Sequence, residues 1–154
     1  MEKTVKTVIL ALGSNLGDRS KNITTAINRI QQEVGHVIST SELLETLPFN
    51  METTETFLNS CIKVQTALTP LELLHCLQEI ETDLGRPKNT KGKKVSRTID
   101  IDIIFYDSEV IETTELSIPH KEYFKRDFVM IPLLQIAPNF IDPSKHLTIK
   151  QLIN

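Results

Sequence analysis

Residues 98–106, Thr98-Ile99-Asp100-Ile101-Asp102-Ile103-Ile104-Phe105-Tyr106, decide how the chain folds. Isoleucine and aspartate alternate with the two-residue period of a strand, which sends Ile99, Ile101 and Ile103 to one face and Asp100 and Asp102 to the other. A strand with one apolar face needs neighbouring strands and a layer to cover that face. The preceding sequence supplies both. Thr69-Pro70-Leu71-Glu72 is a capping box with proline at the first helical position, and Leu73, Leu74, Leu77, Ile80 and Leu84 mark the buried stripe of a helix ending at Gly85. Further upstream, 57–66 and 37–45 read as strands separated by a loop with Pro48 and Asn50. At the start, 4–12 is apolar and β-branched, and Gly13-Ser14-Asn15-Leu16-Gly17-Asp18 connects it to a helix in which Ile23, Ala26, Ile27, Ile30 and Val34 recur until Gly35.

The order β-α-β-β-α-β predicts an α+β fold of the ferredoxin-like kind, an antiparallel sheet with both helices packed on one face. Val110-Ile111 and Leu116-Ser117-Ile118 predict extra short strands, and C-terminal helical turns are expected near 128–135 and 148–153. No repeat, low-complexity tract or linker divides the chain, so 1–154 is read as a single domain.

Its 154 residues, 40% hydrophobic and 24% charged, suffice for one core without a disulfide or structural metal. Cys61 and Cys76 form no CxxC pair and lie in a strand-like and a helix-like run, which favours two reduced thiols. No apolar run approaches the roughly 18 residues of a membrane span, and Met-Glu-Lys-Thr-Val lacks the apolar block of a secretory signal. A cytoplasmic protein of monomer size, with no membrane partner, is expected.

The net charge of −3 conceals an asymmetry. Arg86, Lys88, Lys91, Lys93, Lys94 and Arg97 fall within 86–97 without an acidic residue, leaving 11 basic against 20 acidic side chains elsewhere. Asp100 and Asp102, about 6.6 Å apart along a strand, follow this run directly and can hold one divalent cation or bridge a magnesium pair. A solvent-facing strand is the simpler account of one aspartate, but two on one face repel each other unless a cation offsets them. Arginines beside metal-bound phosphate complete such a site, because a guanidinium fork grips phosphate oxygens in two hydrogen bonds. No standard phosphate loop is present: the glycines at 85 and 92 enclose six residues, and Lys94 stands where serine or threonine is required. Gln78 and Glu81 are three apart on a helix and can share a face, but plain helix solubility is the favoured account of them. Asn59 is unusual in a strand and suits a ligand contact or an edge position. Phe57 and Phe128 taken singly suit a core, and surface turns suit His36, His75, His120 and His146.

These segments together resemble the 6-hydroxymethyl-7,8-dihydropterin pyrophosphokinase family over essentially the whole chain. The resemblance rests on Leu12-Gly13-Ser14-Asn15-Leu16-Gly17-Asp18-Arg19, Phe57-Leu58-Asn59, Ile80-Glu81 before Gly85-Arg86, Arg97 to Ile103, Ile118-Pro119-His120, and Arg126-Asp127-Phe128-Val129 leading to Pro132-Leu133 and Ile136-Ala137-Pro138. It implies the ferredoxin-like fold and an ATP-dependent diphosphotransferase that passes pyrophosphate from MgATP to the pterin hydroxymethyl group, releasing AMP, a step of folate biosynthesis. It implies that Asp100 and Asp102 bind two Mg2+ ions with ATP and that Arg86 and Arg97 clamp phosphates. Gln78, Lys88, Ile103 through its backbone, Ser117, His120 and Arg126 match nucleotide-contacting positions, with Glu81 a polar position beside them. Phe57 and Phe128 would sandwich the pterin, while Asn59, Thr46, Leu47 and Phe49 would hold its edge. The cationic loop would then act as a lid over ATP. Lys94-Val95-Ser96 stands where many members have an aromatic residue, glycine and proline; Glu115 replaces a cation and Lys121 an aromatic. The acidic remainder and the absence of tryptophan weigh against a nucleic-acid binder of the same fold. A binding module without turnover is the other alternative, separable by AMP release.

Overall fold

In the computed structural model, which describes residues 4–46, 56–85 and 98–153, the alternating segment forms β5 (Asp100–Tyr106) and pairs with β1 (Lys6–Ser14). On its other edge β1 pairs with β4 (Phe57–Thr66), which in turn takes β2 (Gly35–Thr40) and, further along, β3 (Leu44–Thr46). Every pairing is antiparallel, in the order β2-β4-β1-β5. Between β1 and β2 runs α1 (Arg19–Glu33), and between β4 and β5 runs α2 (Pro70–Asp83). Both start on side-chain caps: Asp18 accepts the Lys21 N–H, and Thr69 and Glu72 form the reciprocal box read from the sequence.

The two helices cover one sheet face. Val8, Leu10, Leu12, Ile62, Val64, Ile101 and Ile103 meet Ile23, Ala26, Ile30, Leu73, Leu77 and Ile80 there. The opposite face is not bare. Ile9, Cys61, Ile104 and Phe105 form a second core with the 3-10 turn Tyr123–Lys125, α3 (Asp127–Ile136) and α4 (Ile149–Leu152). Phe105 packs edge-on against Tyr123 at 5.0 Å between ring centroids and meets Phe140 at 4.5 Å. Below them the buried Tyr123 hydroxyl donates to Asp142 at 2.5 Å, and Asp142 also accepts from Ser144 and the Lys145 N–H.

Two expectations change. The strand read over 37–45 is two strands: the Ser41 N–H still donates to the Cys61 carbonyl at 2.9 Å, but the Ser41 hydroxyl, which also bonds Ser60, takes the Cys61 N–H at 2.9 Å in place of a backbone carbonyl. Gln135 of α3 accepts the next amide, that of Glu42, at 2.8 Å. Gly35 follows the C-cap Val34, closing the helix as read, and also opens β2; a Cβ there would stand 2.0 Å from the Gln65 carbonyl oxygen, so the strands meet over bare backbone. In β5 the alternation breaks: Ile9 pairs with Phe105 and Leu10 with Ile103, so Ile104 is the extra residue of a bulge. Both Ile104 and Phe105 thereby reach the second core. The short strands form as β6 (Ile111–Glu112) and β7 (Ser117–Ile118), paired as a hairpin.

Candidate active site

Directly paired residues in a sheet point the same way. The register therefore assembles a row, Leu44-Asn59-Gly13-Asp100, across β3, β4, β1 and β5, and beside it a second row, Cys61-Ala11-Asp102. Phe57 stands two residues from Asn59 and shares its face. All of these lie on the α3 side, since Cys61 belongs to the second core. Along β5 the burial alternates as the sequence predicts, Ile101 and Ile103 closed and Asp100 and Asp102 half-buried.

Gly13 is small because Asn59 lies over it. A Cβ at Gly13 would stand 3.1 Å from Asn59 Oδ1 and 3.6 Å from the Phe57 ring. Asn59 is itself buried, and its Nδ2 donates to Thr46 Oγ1 at 2.8 Å and to the Leu44 carbonyl at 3.4 Å. Three of the residues expected at a pterin, Thr46, Asn59 and Phe57, thus meet at one end of the sheet. A fourth, Phe128, lies in the first turn of α3, part-buried against the second core. The Cys61 thiol donates to the Val129 carbonyl at 3.6 Å, tying that turn to β4. Burial pushes the thiol up to about 12, so Cys61 packs and does not act as a nucleophile. Arg126 lies over Phe128 with its guanidinium carbon 5.8 Å from the ring centroid, and its buried Nε has no hydrogen-bond partner among the described residues.

Two of the expected nucleotide positions, Ile103 and His120, lie at the outer edge of β5. Glu81, for which plain solubility sufficed, is buried at 3% exposure and accepts the Ile101 N–H at 2.7 Å. The backbone of Ile103 faces this same edge by strand alternation, while its side chain is in the first core. The His120 N–H donates to the Ile104 carbonyl at 3.0 Å and its Nδ1 accepts from the Glu122 N–H. Ser117 donates to Glu112, a partner that sequence reasoning did not pick out, at 2.5 Å. Gln78 is exposed, so it does not share the setting of Glu81. His75 is on the surface but in α2, 3.6 Å from Glu115, rather than in a turn. Leu47, Phe49, Arg86, Lys88 and Arg97, with the whole cationic segment, lie outside the described residues.

No group of three or more His, Cys, Asp or Glu able to hold a metal occurs among the described residues. Asp100 and Asp102 nevertheless fit magnesium: the donors are carboxylate oxygens on one half-buried strand face, and magnesium takes one or two carboxylates plus substrate phosphates. Among the described residues no helix is long and apolar enough to cross a membrane.

The chain is similar to known proteins. Residues 9–138 match the family model of 7,8-dihydro-6-hydroxymethylpterin-pyrophosphokinase. A 2-amino-4-hydroxy-6-hydroxymethyldihydropteridine pyrophosphokinase of Porphyromonas gingivalis is 38% identical, the match covering 85% of this chain and 90% of that one. Its Aquifex aeolicus counterpart is 39% identical over 94% of this chain and 89% of its own. A folic acid synthesis protein of Dictyostelium discoideum is 41% identical over 94% of this chain, which spans only 22% of that longer relative. In fold, the chain is similar to wild-type Plasmodium falciparum HPPK-DHPS solved with pteroate, with a TM-score of 0.79 at 19% identity, covering 99% of this chain and 42% of that one. On the family model and the two bacterial relatives, this chain belongs to the 7,8-dihydro-6-hydroxymethylpterin-pyrophosphokinase family, whose members transfer pyrophosphate from ATP to hydroxymethyldihydropterin.

Proposed function

We propose that the α3-side face of the sheet is the active site for this transfer, in one domain of the ferredoxin-like class with β3 prolonging the path of β2. The single observation that carries the proposal is the row Asn59-Gly13-Asp100: one end of the sheet sets the Asn59 amide on the same face as two carboxylates. In the reaction the hydroxymethyl oxygen attacks the β-phosphorus of ATP, the bond from that phosphorus to the α–β bridging oxygen breaks, and AMP leaves. The hydroxyl proton passes to solvent, and the products are the pterin diphosphate and AMP.

Each residue has a part in this step. Phe57 and Phe128 enclose the flat ring, and Asn59 with Thr46, Leu47 and Phe49 meets its polar edge, so the hydroxymethyl group is presented toward Asp100 and Asp102. Asp100 and Asp102 would hold two magnesium ions, which when bound neutralise charge on the phosphates. Arg86 and Arg97 offset the charge that develops as AMP departs. The buried Arg126 Nε supports a further anionic contact, since an orphaned donor beside Phe128 gains a partner when a phosphate arrives. Gln78, Lys88, Ile103, Ser117 and His120 contact the nucleotide, and of these Ile103 and His120 stand at the outer edge of β5. The protein works as a cytoplasmic monomer with no nucleic-acid or membrane partner.

Mixing the protein with ATP, magnesium and 6-hydroxymethyl-7,8-dihydropterin should release AMP in step with pterin diphosphate, followed by chromatography. AMP at the level of a protein-free control would sink the proposal, and binding of both substrates without AMP would leave a binding module in its place.

A further inference from the structure

Arg19 ends the motif that opens with Leu12, and nothing above gives it a task. It occupies the first position of α1, where the helix dipole disfavours a cation; Asp18, not Arg19, supplies the cap. A residue that works against its own helix and remains ordered by several bonds invites a reason outside the helix. Its guanidinium supplies one. Nη1 donates to the Thr56 carbonyl at 3.1 Å and to the Thr56 hydroxyl at 2.7 Å, while Nη2 donates to Glu45 at 2.7 Å.

Glu45 immediately precedes Thr46, and Thr56 immediately precedes Phe57. Thr46 and Phe57 are themselves paired across β3 and β4, and the next link is the bond from Asn59 to Thr46. One planar fork therefore ties the N-terminus of α1 to both strands at the end where Thr46, Phe57 and Asn59 meet. An exposed ion pair alone contributes little, and Glu45 is more than half exposed. The two bonds to Thr56 make the arrangement directional, because a guanidinium addresses both acceptors in one plane and an ammonium does not. The hydrogen bond from Arg19, more than its charge, holds the Glu45 carboxyl below the usual carboxylate range.

We infer that Arg19 is a positioning residue for the pterin, holding the β3–β4 strand ends so that Thr46, Phe57 and Asn59 keep their register with Gly13 and Asp100; this rests on the functional reading given above. The nucleotide edge of β5 lies on the far side of β1 from this clamp, so the effect falls on one substrate.

The chain contains no tryptophan, so the fluorescence of a bound pterin can be read with little protein background. Full-length Arg19→Gln should raise the pterin Kd about tenfold, as loss of an outer partner of a binding residue commonly does. Arg19→Lys should recover part of this, and Thr56→Val should move the Kd in the same direction by less. The Kd for a non-hydrolysable MgATP analogue should stay within about twofold, the transmission being confined to one end of the sheet. In ligand-free protein, hydrogen exchange at 44–46 and 56–59 should quicken in Arg19→Gln. An unchanged pterin Kd, equal weakening of both ligands, or unchanged exchange at those residues would overturn the Arg19 assignment. Wild-type protein that binds the ATP analogue but no pterin would instead overturn the functional reading beneath it.

Discussion

Replacing Glu81 with alanine should lower stability by about 1–3 kcal/mol. Glu81 is 3% exposed and takes the Ile101 N–H at 2.7 Å on the edge of β5 that no strand among the described residues covers. A hydrogen bond to a charged group contributes about 1.5–3 kcal/mol, and alanine leaves the buried amide without this acceptor beside a small cavity. Relief of the carboxylate's desolvation offsets part of the loss, which sets the lower end of the range. For a chain of this size each kcal/mol lowers Tm by about 2–4 °C, so the midpoint should fall by about 2–12 °C. Glu81→Gln keeps an oxygen acceptor of the same reach and should melt within about 3 °C of wild type. Circular dichroism melts of the three proteins at one pH and salt concentration decide the matter. An alanine variant as stable as wild type would refute the role given to the Ile101 bond. A glutamine variant as damaged as alanine would show that the charge, rather than the acceptor, matters there.

Asp102→Asn should reduce AMP release at least a hundredfold at fixed magnesium, an order typical of losing a ligand that organises charge at phosphate; steady-state rates within about threefold of wild type would contradict the metal role. Gly13→Ala must move Asn59 or Phe57 by a few tenths of an ångström, because the new Cβ stands 3.1 Å from Asn59 Oδ1. Losing one well-made hydrogen bond to the pterin, about 1.4 kcal/mol, should raise its Kd about tenfold with ATP binding unchanged, and a titration showing no change would remove Asn59 from the pocket. Burial alone would raise the Asp142 carboxyl, but the bonds from Ser144, Tyr123 and the Ser144 and Lys145 amides together hold it below the usual range. Its contribution is thus complete above the unfolded value near 4 and is lost as pH falls through the lower folded value. Melts from about pH 6 down to pH 2 should therefore show a steeper acid loss for wild type than for Asp142→Asn, and parallel curves would exclude this carboxyl as a source of acid sensitivity.

The fold was legible where local pattern and long-range structure agree. The capping box at Thr69, the apolar stripe of α2 and the Ile-Asp alternation of β5 are statements about adjacent residues, and each forms as read. The Ser41 interruption was hidden because the amide that its hydroxyl accepts from, that of Cys61, is 20 residues away in the chain. The second core was hidden for a similar reason. The helical turns were visible as a pattern near 128–135, but nothing in that pattern says they fold onto the sheet face opposite α1 and α2. The bulge at Ile104 was equally invisible, since a run of apolar residues keeps no record of which one is unpaired.

That bulge also explains how one short strand serves a core and a site. Asp100 lies on the α3 side in the row of Gly13 and Asn59, and Asp102 lies on that side in the row of Ala11 and Cys61, whereas strict alternation along β5 would send Ile104 to that side and Phe105 to the other. The extra residue keeps both Ile104 and Phe105 on the α3 side, where Phe105 packs against Tyr123 and Phe140, and returns Tyr106 to the first core. The Tyr106 hydroxyl then reaches the Leu68 carbonyl ahead of α2 at 2.5 Å. One end of β5 is thereby anchored in both cores, and the aspartates project from the other end of the same strand. A carboxylate pair that must meet a polyphosphate at fixed separation gains more from such a strand than from a loop, because its spacing is set by backbone pairing to β1. The neighbouring requirement, that Asn59 and Phe57 stand a fixed distance from those carboxylates, is met by the same pairing, with β1 as the shared ruler and Gly13 as the position left bare for both.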